Sequence, residues 1–302
     1  MKARPVVVGL GEVLWDLFDD GPRFGGAPAN FACSVAELGR NQFEVVLASA
    51  VGNDELGDLA IAALDEHQVN SQAVARLDYT TGQVDVKLDA RGHASYTFAS
   101  NTAWDHLTWD QELEVLASRT NVVCFGTLAQ RSYKSRKTIR QFVASTPDAC
   151  LRMLDINLRA PYWTPDVILQ SLEIANALKL NDSELGAMTS LLQLKGSDEA
   201  KLEQIMKRFS LEVIALTRGS KGSLLLLDSG ERSDLAVQSV DVVDTVGVGD
   251  AFTATLTLGF LKGYPLDTVH RWANDVAAFV CTQPGGTPRL PSSLCLPDES
   301  IS

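Results

Sequence analysis

The sequence predicts an α/β fold built on a mainly parallel sheet, and three observations predict it. Short apolar runs alternate with helical patterns for most of the length. The runs are continuous, as in strands buried on both faces of a parallel sheet. Two stretches, 12–24 and 80–98, break that rhythm and read as a small β flap beside the main body.

Taken in order, strand candidates lie at 6–9, 45–48, 122–125, 151–155, 177–180 and 212–217. Cys124, inside the third, reads as core. Helix candidates fill the gaps at 28–38, 54–66, 134–145, 164–175 and 198–209. Asp54 and Thr164 suit N-caps, because a short side-chain oxygen there accepts from an otherwise orphaned amide; Pro165 suits a first helical position. Strand–helix–strand alternation implies right-handed crossovers and a layered sheet. Within 80–98, Val84, Val86 and Leu88 alternate with Gln83, Asp85 and Lys87. Asp89-Ala-Arg-Gly92 then turns, and Tyr96 and Phe98 resume the alternation. That is an antiparallel hairpin with one buried and one wet face. No repeat or low-complexity linker divides the chain, so 1–302 reads as one domain. The segment 283–291 is loop-forming, and the residues beyond it are expected to fray.

With 302 residues, 45% of them hydrophobic and 21% charged, the chain can bury a large core, and disordered or fibrous classes drop out. The net charge of −12, from 26 basic and 38 acidic residues, argues against nucleic-acid or anionic-membrane partners, which repel a negative field. The one local exception, 131–140, holds five basic residues in ten and reads as a solvated helix face. The five cysteines (Cys33, Cys124, Cys150, Cys281, Cys295) are scattered and never spaced C-x-x-C. The four histidines (His67, His93, His106, His270) show no paired spacing, so a zinc site has no support. The apolar run at the N-terminus is too short for a signal peptide, and the longest greasy stretch, 254–261, is far below a ~20-residue membrane span. A cytoplasmic protein with reduced thiols is expected.

Chemistry concentrates in Asp241-Val-Val-Asp244-Thr-Val-Gly247-Val-Gly249-Asp250-Ala-Phe252, followed by a helical run to Leu261. A strand ending in Gly-x-Gly and entering a helix aims several backbone N–H groups at one point, at the positive end of the helix dipole. Such a point holds a phosphate or a transferring phosphoryl group. Asp250 falls beside it, where a carboxylate can take a proton from an attacking hydroxyl. Alone, the pattern equally suits an Asp that caps a helix after a glycine turn. No Walker A loop occurs, and Gly9-Leu-Gly11 lacks the third glycine of a dinucleotide fingerprint, Leu14 standing in its place.

The segment 244–252 resembles the C-terminal signature of the ribokinase-like (PfkB) carbohydrate kinases, and Gly25-Gly-Ala-Pro-Ala-Asn30 resembles their N-terminal one. Asp155-Ile-Asn157-Leu-Arg159, Asn181-Asp-Ser-Glu184 and Thr217-Arg-Gly219-Ser-Lys-Gly222 match between them, so the resemblance spans 6–291. Gly11-Glu-Val-Leu-Trp-Asp16 and the segment 157–163 look most like bacterial fructokinases. The resemblance implies a doubly wound sheet with a β lid formed by about 12–24 and 80–98. It implies ATP and Mg2+, with Asp250 as catalytic base and the amides of Gly247, Val248 and Gly249 as an anion hole. Asn181 and Glu184 would organise Mg2+ and its waters, Glu184 reaching the metal through water. Thr217, Gly219 and Gly222 would form the nucleotide loop and Asn274 would pack against adenine. Asp16, Gly25, Gly26 and Asn30 would bind the sugar, and Arg159 would offset developing charge.

Read without the family, Asn181–Glu184 is an ordinary capping sequence, Thr217–Gly222 a strand-to-strand turn, and Asp16 a surface residue followed by Asp19 and Asp20. Trp15, Trp104 and Trp163 suit a sugar wall or core. The family usually carries Thr and Ala where this chain has Val246 and Val248, which stiffen the turn. Some relatives bind a monovalent cation such as K+ beside it, making Asp244 and the loop 284–286 candidates. The expected enzyme is an ATP-dependent sugar kinase acting on a primary hydroxyl, with fructose first among acceptors. The alternatives are 2-keto-3-deoxygluconate, ribose or a nucleoside, or a catalytically weak binding protein. An apolar lid face (Val84, Val86, Leu88) in need of cover points to a homodimer through the lid.

Overall fold

A computed structural model describes residues 3–18, 21–88, 94–237 and 240–297. The predicted turn at 89–92, with Asp19, Asp20 and His93, lies outside them. From the N-terminus, β1 (Val6–Leu10) leads into a hairpin of β2 (Leu14–Phe18) and β3 (Gly21–Gly25). Next come α1 (Ala27–Gly39), β4 (Glu44–Gly52), α2 (Glu55–Glu66) and β5 (Val74–Leu77), then a second hairpin of β6 (Gly82–Leu88) and β7 (Ala94–Phe98). Alternation resumes with α3 (Gln111–Ser118), β8 (Thr120–Phe125), α4 (Tyr133–Ala144), β9 (Leu151–Asp155), α5 (Pro165–Ile174) and β10 (Ala177–Asn181). The chain continues through α6 (Asp182–Leu192), α7 (Asp198–Phe209), β11 (Val213–Thr217), β12 (Ser223–Leu227), β13 (Arg232–Leu235), α8 (Val248–Leu261) and α9 (Leu266–Cys281).

Nine strands form one sheet in the order β13-β12-β11-β10-β9-β8-β1-β4-β5. Pairing is parallel from β11 to β5 and antiparallel at β12 and β13. The continuous apolar runs result from burial on both faces. Val6, Val8 and Leu10 pack with residues of α3 to α7, while Val7 packs with α1, α2, α8 and α9. That is a doubly wound sheet. Asp54 caps α2 by accepting from Gly57, and Thr164 caps α5 by accepting from Val167.

The two stretches that broke the rhythm form a second sheet, ordered β3-β2-β6-β7. Parallel pairing of β2 with β6 joins the hairpins. On one face of this sheet Val84 and Val86 are buried with Leu14, and Phe18 and Phe98 pack against them. Val84 and Val86 are thus out of solvent within this one chain.

Two expectations are corrected. Among the described residues 240–247 no strand leads into Gly247: the run is irregular, and Asp244 folds back to accept from the Val246 amide. The basic stretch 131–140 is no uniformly solvated face: the Arg131 side chain is only 10% exposed, and Arg136 and Arg140 turn inward to bond Gln130. Among the described residues no helix is long and apolar enough to cross a membrane, and none of the five cysteines is in a disulfide.

Candidate active site

The N-terminus of α8 forms an open turn. Gly247, its N-cap, has φ 74°, and a Cβ there would stand inside the Gly286 carbonyl, so only glycine fits. No side chain caps the helix, which leaves the first-turn amides without partners inside the helix and free for an anion. Asp250 is the third helical residue, and its Oδ2 accepts from Asn30 Nδ2 at 2.9 Å. Burial, and then the negative charge of Asp155, push its carboxyl up to about 6. Asn30 sits in the first turn of α1, behind Gly26 with φ 105°, and its Oδ1 finds no partner among the described residues.

Asp16 lies on β2 opposite Arg23 of β3. Its Oδ2 is 3.0 Å from where a Gly25 Cβ would stand, so a larger residue at 25 would displace it. Burial raises its carboxyl to about 6, against the opposing pull of Arg159. Arg159, exposed on the loop after β9, also lowers Asp250 and Glu12, so its charge faces all three carboxyls. Asp16, Gly25, Gly26, Asn30, Arg159, Gly247, Val248, Gly249 and Asp250 are thus brought together. Trp15 and Trp104 are core, at 8% and 1% exposure, and Trp163 is half-buried.

Beneath the turn lies a buried ion pair that sequence reasoning missed. Lys179 Nζ is 3.1 Å from Asp155 Oδ1, and Asp155 Oδ2 accepts from the Thr253 hydroxyl at 2.9 Å. A Cβ on Gly249 would come within 2.7 Å of that ammonium, so glycine leaves room for it. Burial alone would lower the lysine, but Asp155, Glu184 and Asp250 together hold it above its ordinary value. A lysine inside the apolar run of β10 was the available signal. Glu12 was missed too. It is 2% exposed, its Oε2 has no partner among the described residues, and burial, reinforced by Asp250, pushes it up to about 7.

Asn181 and Glu184 form a reciprocal cap on α6: Asn181 Oδ1 accepts from the Glu184 amide at 2.9 Å and Glu184 Oε2 from the Asn181 amide at 2.8 Å. Glu184 Oε1 also accepts from Leu158 at 2.9 Å. With both carboxylate oxygens already bonded to amides, these hard oxygens fit Mg2+ through its waters and not as a closed cage. Thr217 ends β11, and Gly219 and Gly222, both at positive φ, turn the chain into β12. Asn274 Oδ1 accepts from Ser223 Oγ, which also bonds His270 Nε2, each at 2.7 Å. Burial pushes His270 down to about 4, so it is neutral there. Asp244 accepts from the amides of Val246 and Gly285, each at 3.0 Å, and so ties the turn to the loop 284–286. Among the described residues no group of three or more acidic, His or Cys side chains is placed to hold a metal.

The description "pfkB family carbohydrate kinase" matches residues 17–293. The chain is 30% identical over 252 residues to the fructokinase of Salmonella typhimurium, covering 80% of this chain and 79% of that one. A solved sugar kinase of Pyrococcus horikoshii, itself uncharacterised, is 27% identical, covers 93% of both chains and superposes with a TM-score of 0.79. The fructokinase of Xylella fastidiosa with bound ATP reaches a TM-score of 0.84 at 19% identity over 96% of both chains. Fold and relatives define a sugar kinase, a phosphotransferase with an alcohol acceptor. The chain belongs to the pfkB family of carbohydrate kinases.

Proposed function

We propose that the chain transfers the γ-phosphoryl group of ATP to a primary hydroxyl of fructose. The observation that carries this reading is the Asp250 carboxylate, held by Asn30 at the uncapped N-terminus of α8. Likeness to a fructokinase supports the acceptor.

Asp16 and the free Oδ1 of Asn30 bind sugar hydroxyls, as carboxylate and amide oxygens accept from them. Asn30 fixes one oxygen of Asp250, and the other takes the proton of the attacking hydroxyl. The alkoxide attacks the γ-phosphorus in line and ADP leaves. Charge growing on the phosphoryl oxygens meets the amides of Gly247, Val248 and Gly249, the guanidinium of Arg159 and the ammonium of Lys179. Asn181 and Glu184 would orient the waters of Mg2+, which when bound would screen the phosphate charges. Thr217, Gly219, Gly222 and Asn274 hold the nucleotide, and Asp244 with the loop 284–286 would hold a monovalent cation such as K+. The second sheet acts as the lid of a single domain spanning 1–302 and excludes water from the reaction. A cytoplasmic location and a homodimer through the second sheet belong to the same reading, and sedimentation velocity tests the dimer.

The deciding experiment is ADP release from Mg·ATP with fructose, 2-keto-3-deoxygluconate, ribose, glucose and adenosine, with Asp250→Asn as the blank. Fructose should stand above the others, and Asp250→Asn should fold yet lose about 10²–10⁴ in turnover. Another acceptor in first place moves the pocket assignment; native turnover in Asp250→Asn removes the base. Because Asp250 must be ionised to act, kcat should fall as pH drops through about 6.

A further inference from the structure

The loop that carries Arg159 is anchored at two points. On one side the Leu158 amide donates to Glu184 Oε1 at 2.9 Å. On the other, the Tyr162 amide donates to the Arg159 carbonyl at 2.8 Å, and the Tyr162 ring meets Phe98 edge-on, with centroids 5.3 Å apart. The Tyr162 hydroxyl donates to the Phe98 carbonyl at 3.4 Å. Behind this contact lies Arg131. Its guanidinium stands 4.0 Å over the Trp104 ring and 5.2 Å from the Tyr162 ring. Nε and Nη2 fork onto Asp105 at 2.8 and 2.7 Å, and Nη2 also donates to the Ala99 carbonyl at 2.5 Å. The Ala99 amide is in turn bonded to Gln83 of β6 at 2.9 Å. One planar cation therefore joins the exit of the second sheet to the loop of Arg159. Lysine supplies neither the fork nor the stacking plane.

We propose that Arg131 and Tyr162 are positioning residues for phosphoryl transfer: they set the place of Arg159 from the position of the second sheet. This rests on the reading that Arg159 acts at the transferring group. Acceptor binding beneath the second sheet then settles Phe98 and Ala99, and through Arg131 and Tyr162 brings Arg159 to the phosphate.

The test measures ADP release with Mg·ATP and the best acceptor of the panel above, in Arg131→Lys and Tyr162→Leu, each alone and combined with Arg159→Ala. Tyr162 is half-buried, so its variant keeps the test open if Arg131→Lys unfolds. Each single variant should lose on the order of tenfold in kcat, with KM for ATP unchanged, since small misplacements of a catalytic group cost that much or more. Neither should cost anything further in the Arg159→Ala background. An equal loss in that background overturns the proposal alone, because the two residues then act elsewhere. Native turnover in Arg159→Ala itself overturns the role of Arg159 and the proposal with it.

Discussion

Glu12 shows how much one buried carboxyl can decide. Its folded value of about 7 stands above the ordinary 4.5, so folding favours the protonated form. Its contribution is present in full below pH 4.5 and is lost as pH rises through about 7. Relative to Glu12→Gln, the native chain should lose on the order of 3 kcal/mol between pH 4.5 and pH 8. Denaturant titration of both proteins at the two pH values measures this, and an unchanged gap would refute it. Glu12 and Arg131 were illegible in the sequence, and Lys179 showed only as a lysine in an apolar run, for one reason: their surroundings are assembled from distant chain. Lys179 meets Asp155 across 24 positions, and Arg131 meets Asp105 across 26. Gly247, Gly249 and Asp250 were legible because turn and helix start are written within four residues.

At the level of elements, the same distinction separates what was read from what was not. Strands β8 to β11 and helix α7 announced themselves through local pattern and caps. α6 was visible only as its cap, Asn181 to Glu184, and the antiparallel strands β12 and β13 went unread, β13 being a four-residue edge strand of mixed polarity. The approach to α8 reads as a strand because Val242 and Val243 suit one, whereas both are exposed and Asp244 bends the chain. The turn itself makes a graded prediction. Gly247→Ala meets backbone and a positive φ together, so it should cost about 1–3 kcal/mol and abolish turnover. Gly249→Ala meets only the far end of Lys179, so calorimetry should show a smaller loss of stability while ADP release still falls. Equal unfolding midpoints in the two variants would contradict this.

For the whole molecule, strand–helix alternation foretold a layered α/β sheet and the family resemblance its doubly wound form, but nothing foretold the parallel pairing of β2 with β6, since Leu14 and Val84 are far apart in sequence. Acceptor together with a non-hydrolysable ATP analogue should slow amide exchange in Gly82–Leu88 by about tenfold or more, and the analogue alone should not. Equal protection from the analogue alone would detach the second sheet from the acceptor.

All four strands of that sheet come from two short excursions, one between β1 and α1 and one after β5. The phosphoryl-transfer apparatus, by contrast, is contributed by strand ends and helix starts spread over the rest of the chain. Inheritance can therefore treat the two unequally. Exchange of two contiguous segments between related genes would carry a new choice of acceptor onto an unaltered engine, and a laboratory chimera needs only four splice points to do the same.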